Sequence, residues 1–326
     1  MERAFLSTAT GIRTPVSAVR GRRPSPLDDG GATAHLTTAG KTANYASKME
    51  RRPARLLVSA ALCVAVLALL VTAAYTWGPA READAAALFG FSGLYGTPAW
   101  SAADTLVKLA DSGPFLLLSG GLLLAALIAG RRREATAAVI LLAGAAATSQ
   151  VLKPLLAFER PSDLLQHLTP PAAAFPSGHS TAAMSLALAA VLIAPARVRV
   201  GASVAGALFV ITVSLSMLLV GGHFPSDIIG GYLVASAWGL AAFALLHRMD
   251  DPAPQPLGAS RRPPGNRVVV GAAAVTLAIV TAVGTQEPGV DAFAREHSAS
   301  VAVAIALSAA AAAALTAATA TAARRG

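Results

Sequence analysis

Three short stretches place ionisable side chains where a largely apolar chain has no need of them for solubility. The first holds Lys153 and, seven residues on, Arg160 followed by Pro161. The second is Pro176-Ser177-Gly178-His179, and the third runs from Gly221 through His223 to Asp227. Each has a chemical reading of its own. Pro176 suits the first turn of a helix that Ser177, Gly178 and His179 would open, with unpaired N–H groups pointing outward, which is an anion site. Gly178 lets a phosphate approach the backbone closely, and the Ser177 hydroxyl adds a donor. Lys153 and Arg160 can neutralise phosphate oxygens, the arginine through its bidentate fork. His223 and Asp227 are four residues apart, so a carboxylate can fix one imidazole tautomer and leave the other ring nitrogen free to attack.

The elements that must hold these residues are set by composition. Of 326 residues, 55% are hydrophobic and 13% charged, with a mean hydropathy of +0.59; a soluble domain carries about 25% charged residues. A water-soluble two-domain enzyme is excluded on these grounds. The formal charge of +9 invites a nucleic-acid reading, but that needs Lys and Arg gathered on one folded face. Here they lie in short clusters between apolar runs, so no nucleic-acid partner is expected. The single cysteine, Cys63, sits inside such a run and offers neither a disulfide framework nor a thiolate zinc site.

Eight runs have the apolar character of bilayer-crossing helices, near 56–77, 113–130, 135–152, 180–196, 200–221, 227–246, 267–285 and 299–323. The expected fold is therefore all-α, a polytopic membrane bundle of about eight spans. Eight crossings return both termini to one side. Of the 26 Lys and Arg, only Arg81, Lys108, Lys153, Arg160 and Arg295 fall on the opposite side. The basic side is expected to be cytoplasmic, which puts all three polar stretches at the outer face of the cytoplasmic membrane. Residues 1–55 read as a disordered cytoplasmic N-terminus, of which 1–48 look foreign to the protein, Met49 being the expected start. Residues 78–112 form an outer segment with Trp77, Tyr95 and Trp100 at headgroup level, and 100–111 suit a short interfacial helix. Residues 56–247 form a six-span catalytic core, 248–266 a proline-rich cytoplasmic linker, and 267–326 two additional C-terminal spans.

Taken together, the three stretches resemble the motifs of the type 2 phosphatidic acid phosphatase (PAP2) superfamily of integral membrane lipid phosphatases. The family's first motif, Lys, six residues, Arg-Pro, is matched by Lys153, Arg160 and Pro161. Its second, Pro-Ser-Gly-His, is matched by Pro176 to His179. Its third, Ser-Arg, five residues, His, three residues, Asp, is matched by Ser216, His223 and Asp227, with Met217 in the place of the arginine. The resemblance covers roughly residues 56–247. It implies that His223 attacks phosphorus to form a phosphohistidine, that Asp227 orients it, and that His179 protonates the leaving oxygen. Lys153, Arg160, Ser177 and the Gly178 amide would hold the phosphoryl group. No cofactor and no metal are implied, which agrees with the lack of an acidic ligand cluster.

The expected activity is hydrolysis of a phosphate or diphosphate monoester of a lipid, with isoprenoid diphosphates such as undecaprenyl diphosphate, phosphatidic acid and phosphatidylglycerophosphate as the fitting classes. The bilayer and that lipid are the expected partners. Met217 leaves two alternatives open: a catalytically weakened or inactive lipid-binding membrane protein, or a lipid phosphotransferase. His167 and Glu159 lie in the site loop without a fixed direction. His247 reads as a plain flank at the end of the sixth span.

Overall fold

The break at Trp77-Gly78-Pro79 separates the first apolar helix from the outer segment, because proline is tolerated only at the start of the next helix. In the computed structural model, residues 30–160, 163–165, 170–249 and 295–323 are described, with side chains from Arg52 onward. The chain divides into units of residues 1–47 and 48–326. Of the first unit only a helical stretch from Gly30 is described. The element α1 is bounded by Gly30–Thr76, so helix occupies 30–48, where composition suggests no structure. Beyond the glycine pair that opens it, that stretch holds Gly40 and no proline.

Eight further α-helices follow: α2 Gly78–Ser92, α3 Pro98–Val107, α4 Ser112–Ile128, α5 Arg132–Leu155, α6 Gly178–Ile193, α7 Arg199–Leu219, α8 Pro225–Met249 and α9 Ser298–Ala323. There is no strand among the described residues. Six stretches are long and apolar enough to cross a bilayer, within α1, α5, α7, α8 and α9 and over Ala172–Ile193 around α6. A seventh crossing is obtained if Pro98–Ala110 and Ser112–Ile128, bent by 51°, are taken as one broken span. The protein is an all-helical, multi-pass membrane protein. The expected span at 113–130 is α4, which at 17 residues is short for a crossing by itself. The expected interfacial helix is α3, started by Pro98 and capped by Thr97, whose Oγ1 accepts the Trp100 N–H. The span expected at 267–285 lies outside the described residues, as do residues 250–266 of the expected linker 248–266.

The helix most deeply set in the bundle is α6, with twelve of its sixteen residues buried. It lies against α4, α5, α7, α8 and α9. Small residues make these approaches close. The Gly144 Cα on α5 meets the Trp238 ring of α8, and a Cβ there would lie 2.5 Å from ring carbons. The indole N–H of Trp238 donates to Thr148 Oγ1 at 3.0 Å. Gly206 of α7 faces Ala187 of α6 in the same way. At the far end of α6, Arg131 donates to the Ile193 carbonyl and Arg199 to the Ala194 carbonyl, the cation-to-C-terminus match that the helix dipole favours.

The alanine-rich α9 packs against α2, α6, α7 and α8. Its buried stripe, Ser300, Leu307, Ser308, Ala311, Leu315, Ala318, Thr319 and Ala322, recurs at helical spacing. Ser300 Oγ donates to the Ala87 carbonyl of α2 at 2.7 Å, so α9 starts on the side of the bundle where α2 lies.

One crossing positions the polar stretches directly. A Cβ on Gly231 of α8 would stand 2.8 Å from the Ser177 carbonyl oxygen and 3.0 Å from the Thr181 nitrogen. Backbone cannot yield as a flexible side chain does. Gly231→Ala is expected to push the start of α6 away from α8 and destabilise the protein by about 1–3 kcal/mol. Thermal unfolding in detergent checks this, and the loss of activity should exceed the loss of folded protein at the assay temperature.

Candidate active site

Two helix starts and two helix ends meet at one end of the bundle. The chain leaves α7 through Gly221, whose φ of +71° is open to glycine without strain. The Gly221 N–H donates to the Leu218 carbonyl and the Gly222 N–H to the Met217 carbonyl, which ties off α7 and delivers His223 just before α8. Asp227 lies in the first turn of α8, fully buried. Its Oδ2 is 3.3 Å from His223 Nδ1 and accepts the Phe224 N–H at 3.0 Å. An ionised carboxylate can only accept, so the proton sits on Nδ1 and the lone pair on Nε2. Asp227 thus places a carboxylate both at the start of α8 and against the imidazole.

Arg160 is engaged by the chain's own groups. Its Nη2 donates to Asp227 Oδ1 at 2.5 Å, its Nη1 donates to Ser226 Oγ at 3.0 Å, and the same Nη1 lies 3.6 Å from Asp84 Oδ2. The guanidinium also stacks 4.1 Å from the Phe224 ring centroid and 5.1 Å from that of Tyr75. Arg160 therefore braces the carboxylate behind His223, and it is 6% exposed. Whatever it does for a phosphate it does from within this brace.

Across from His223, α6 begins with Ser177 as its N-cap, the Oγ accepting the Ser180 N–H at 3.3 Å. Pro176 lies one residue ahead of the cap, outside the first turn that its residue type suits. The Ser177 N–H is also engaged, donating to the Asp227 carbonyl at 2.9 Å. That bond joins the two helix starts. The Gly178 and His179 N–H groups remain open at the helix terminus among the described residues, as the anion reading requires. Lys153, half-buried in the last turn of α5, carries its Nζ to 3.2 Å from where a Gly178 Cβ would be. It has no carboxylate partner among the described residues. His179, on the same turn, has Nε2 at 2.9 Å from Asp111 Oδ1.

A cavity of about 290 Å³ opens beside His179 and Lys153, between α4, α5 and α6, with Phe115, Leu116, Ser149 and Gln150 among its walls. The Ser149 Oγ is buried there without a hydrogen-bond partner. No group of three or more His, Cys, Asp or Glu side chains able to hold a metal ion occurs among the described residues.

All seven sequence-selected residues fall at this end of the bundle. His223, Asp227 and Arg160 form one connected line, and Lys153, Ser177, Gly178 and His179 cluster around the α6 terminus. Sequence reasoning missed Asp84, Ser226, Tyr75 and Asp111. Asp84 accepts the Ser226 N–H at 3.1 Å and so caps α8 from another helix. Burial pushes its carboxyl up to about 6; the Ser226 hydrogen bond and Arg160 pull it down, and Asp227 adds to the rise. The available signal was a short charged run, Arg81, Glu82 and Asp84, at the start of an otherwise apolar α2. Residues 134–251 match the PAP2 superfamily. No curated protein and no solved structure gives a match.

Proposed function

We propose, from a segment 134–251 that belongs to the PAP2 superfamily, that the chain is an integral-membrane phosphatase acting on a phosphate or diphosphate monoester of a lipid. The observation that carries this reading is the Ser177 N–H to Asp227 carbonyl bond, which holds the oriented His223 beside an anion-ready helix terminus and Lys153. In the reaction, His223 Nε2 attacks phosphorus while the bond to the lipid oxygen breaks, and His179, whose Nε2–H is held by Asp111, gives the proton on its Nδ1 to that oxygen. Water then attacks the phosphohistidine phosphorus, losing a proton to His179, and inorganic phosphate leaves. Lys153, the Ser177 hydroxyl and the open Gly178 amide stabilise the equatorial oxygens throughout. The site faces the outer leaflet, both termini are cytoplasmic, and the cavity between α4, α5 and α6 takes the leaving group at headgroup depth.

Phosphate release from a panel of phosphatidic acid, phosphatidylglycerophosphate and isoprenoid diphosphates, with EDTA present, tests the reading. An acid-labile, base-stable phosphoenzyme should accumulate on rapid quenching. Release that disappears with EDTA counts against a metal-free mechanism, and absence of release from every lipid counts against phosphatase activity.

One observation favours a second reading, a weakened enzyme or a phosphotransferase. Met217 is buried, with its Cε against Gly222, so position 217 supplies no cation, while Arg160 lies against two carboxylates. Met217→Arg is expected to raise turnover about tenfold or more by adding a donor for the transition state. Initial rates on the best lipid decide this; an unchanged rate in a folded variant means that the pocket is complete without an arginine.

A further inference from the structure

Asp84 comes from α2, outside the segment that carries the three motifs, yet it touches the brace behind the nucleophile on two sides. Its Oδ1 accepts the Ser226 N–H at 3.1 Å, and its Oδ2 lies 3.6 Å from Arg160 Nη1, too far for a hydrogen bond. We propose that Asp84 is a positioning residue whose protonation accompanies anion binding, so that the site takes a proton into the Asp84–Arg160–Asp227 cluster when it takes a phosphoryl group.

The argument is one of charge. Arg160 contributes one positive charge and faces two carboxylates, Asp84 and Asp227. With both ionised the cluster is net negative and opposes an incoming phosphoryl anion. With Asp84 protonated it is neutral, and the positive field of Lys153 and the α6 terminus prevails. Asp227 is poorly placed to take that proton, since three donors converge on it: Arg160, the Phe224 N–H and His223. Asp84 can take it on Oδ2 while Oδ1 keeps its bond to Ser226, so the start of α8 holds its place as the charge is lost.

The groups facing this cluster are Arg160 and Asp227, with His223 behind Asp227 and Tyr75 of α1 across the guanidinium. Just ahead of α9, His297 lies against Gly90, six residues further along α2, and α7 has no ionisable side chain at its outer turns. Burial holds the Asp84 carboxyl at about 6, within reach of neutral pH. An anion nearby moves it further up, and by linkage the protonated form must bind the anion more tightly.

The inference rests on the phosphate-site reading above, and the test separates the two. Sulfate serves as probe because it stays a dianion from pH 5 to 8. Its affinity for the full chain in lipid nanodiscs is measured by calorimetry for wild type and Asp84→Asn. Both retain His179 and His223, so the histidine contribution cancels in the comparison. Wild-type affinity is expected to fall about tenfold more than that of the variant between pH 6 and 8. Infrared difference spectra at pH 7 should show a protonated-carboxyl stretch on sulfate addition to wild type, shifted in Asp84→Glu and missing in Asp84→Asn. Parallel pH profiles, or a wild-type spectrum without the carboxyl band, overturn the role of Asp84 and leave the phosphate site standing. Failure of wild type to bind sulfate at any pH overturns the phosphate site itself, and this proposal with it.

Discussion

His223→Ala is expected to reduce lipid-phosphate hydrolysis by about 10⁴-fold or more, to background. The imidazole is held by Asp227 through Nδ1, which in the proposed mechanism leaves Nε2 as the attacking atom. On that mechanism Lys153, the α6 terminus and His179 can still lower the barrier to attack by water, but the phosphohistidine cannot form. Anion affinity should change little, because Lys153 and the open amides of Gly178 and His179 are untouched. Rapid-quench phosphate release paired with sulfate affinity separates the two effects. A variant that still turns over at a tenth of the wild-type rate would remove His223 as the nucleophile. One that loses both turnover and sulfate binding would mean that His223 mainly holds the pocket in shape.

Asp227→Asn is expected to cost about 10³- to 10⁴-fold in turnover and to destabilise the protein by about 3–5 kcal/mol. The carboxylate receives Arg160 on one oxygen and the Phe224 N–H with His223 Nδ1 on the other. An amide of the same shape offers one acceptor and two donors. Placing its oxygen toward Arg160 turns an NH₂ group on the Phe224 N–H and releases the imidazole tautomer. Placing it the other way leaves a buried guanidinium facing a donor. Either arrangement leaves a buried polar group without its partner, which costs more than a surface change of the same charge. Thermal unfolding and kcat measured together should show both losses. A stable variant with impaired turnover would limit Asp227 to orienting His223.

Much of this site is legible in the sequence because its chemistry is local. A histidine and an aspartate four residues apart at a helix mouth meet wherever that helix forms, and Ser177 before Gly178 is a capping signature. Apolar length locates the spans in the same way, and the edges of α5, α7 and α8 differ from the expected ones by only a few residues. What cannot be read is what depends on distant chain. Arg160 has the look of a free phosphate clamp because its spacing to Lys153 says nothing of Asp227, 67 residues on. Asp84 is 142 residues from the Ser226 N–H that it caps, and only the packing of α2 against α8 brings them together. Pro176 lies ahead of the cap instead of inside the first turn because a proline signals a helix start more sharply than it signals which residue begins it.

The position of α9 bears on how the protein is made. Helices α2 and α7 are translated before α9, yet part of the surface that they bury in the finished bundle is covered by a helix that begins at Ser298. Until the ribosome has delivered that helix, the Ala87 carbonyl lacks the Ser300 hydroxyl that it accepts in the mature fold, and the adjoining groove has to be filled by lipid. The active-site residues are all translated by Asp227, but the scaffold that carries Asp84 is completed only near the end of the chain. Assembly of a competent site is therefore post-insertional, and a chain arrested before α9 would carry every motif on an unfinished bundle.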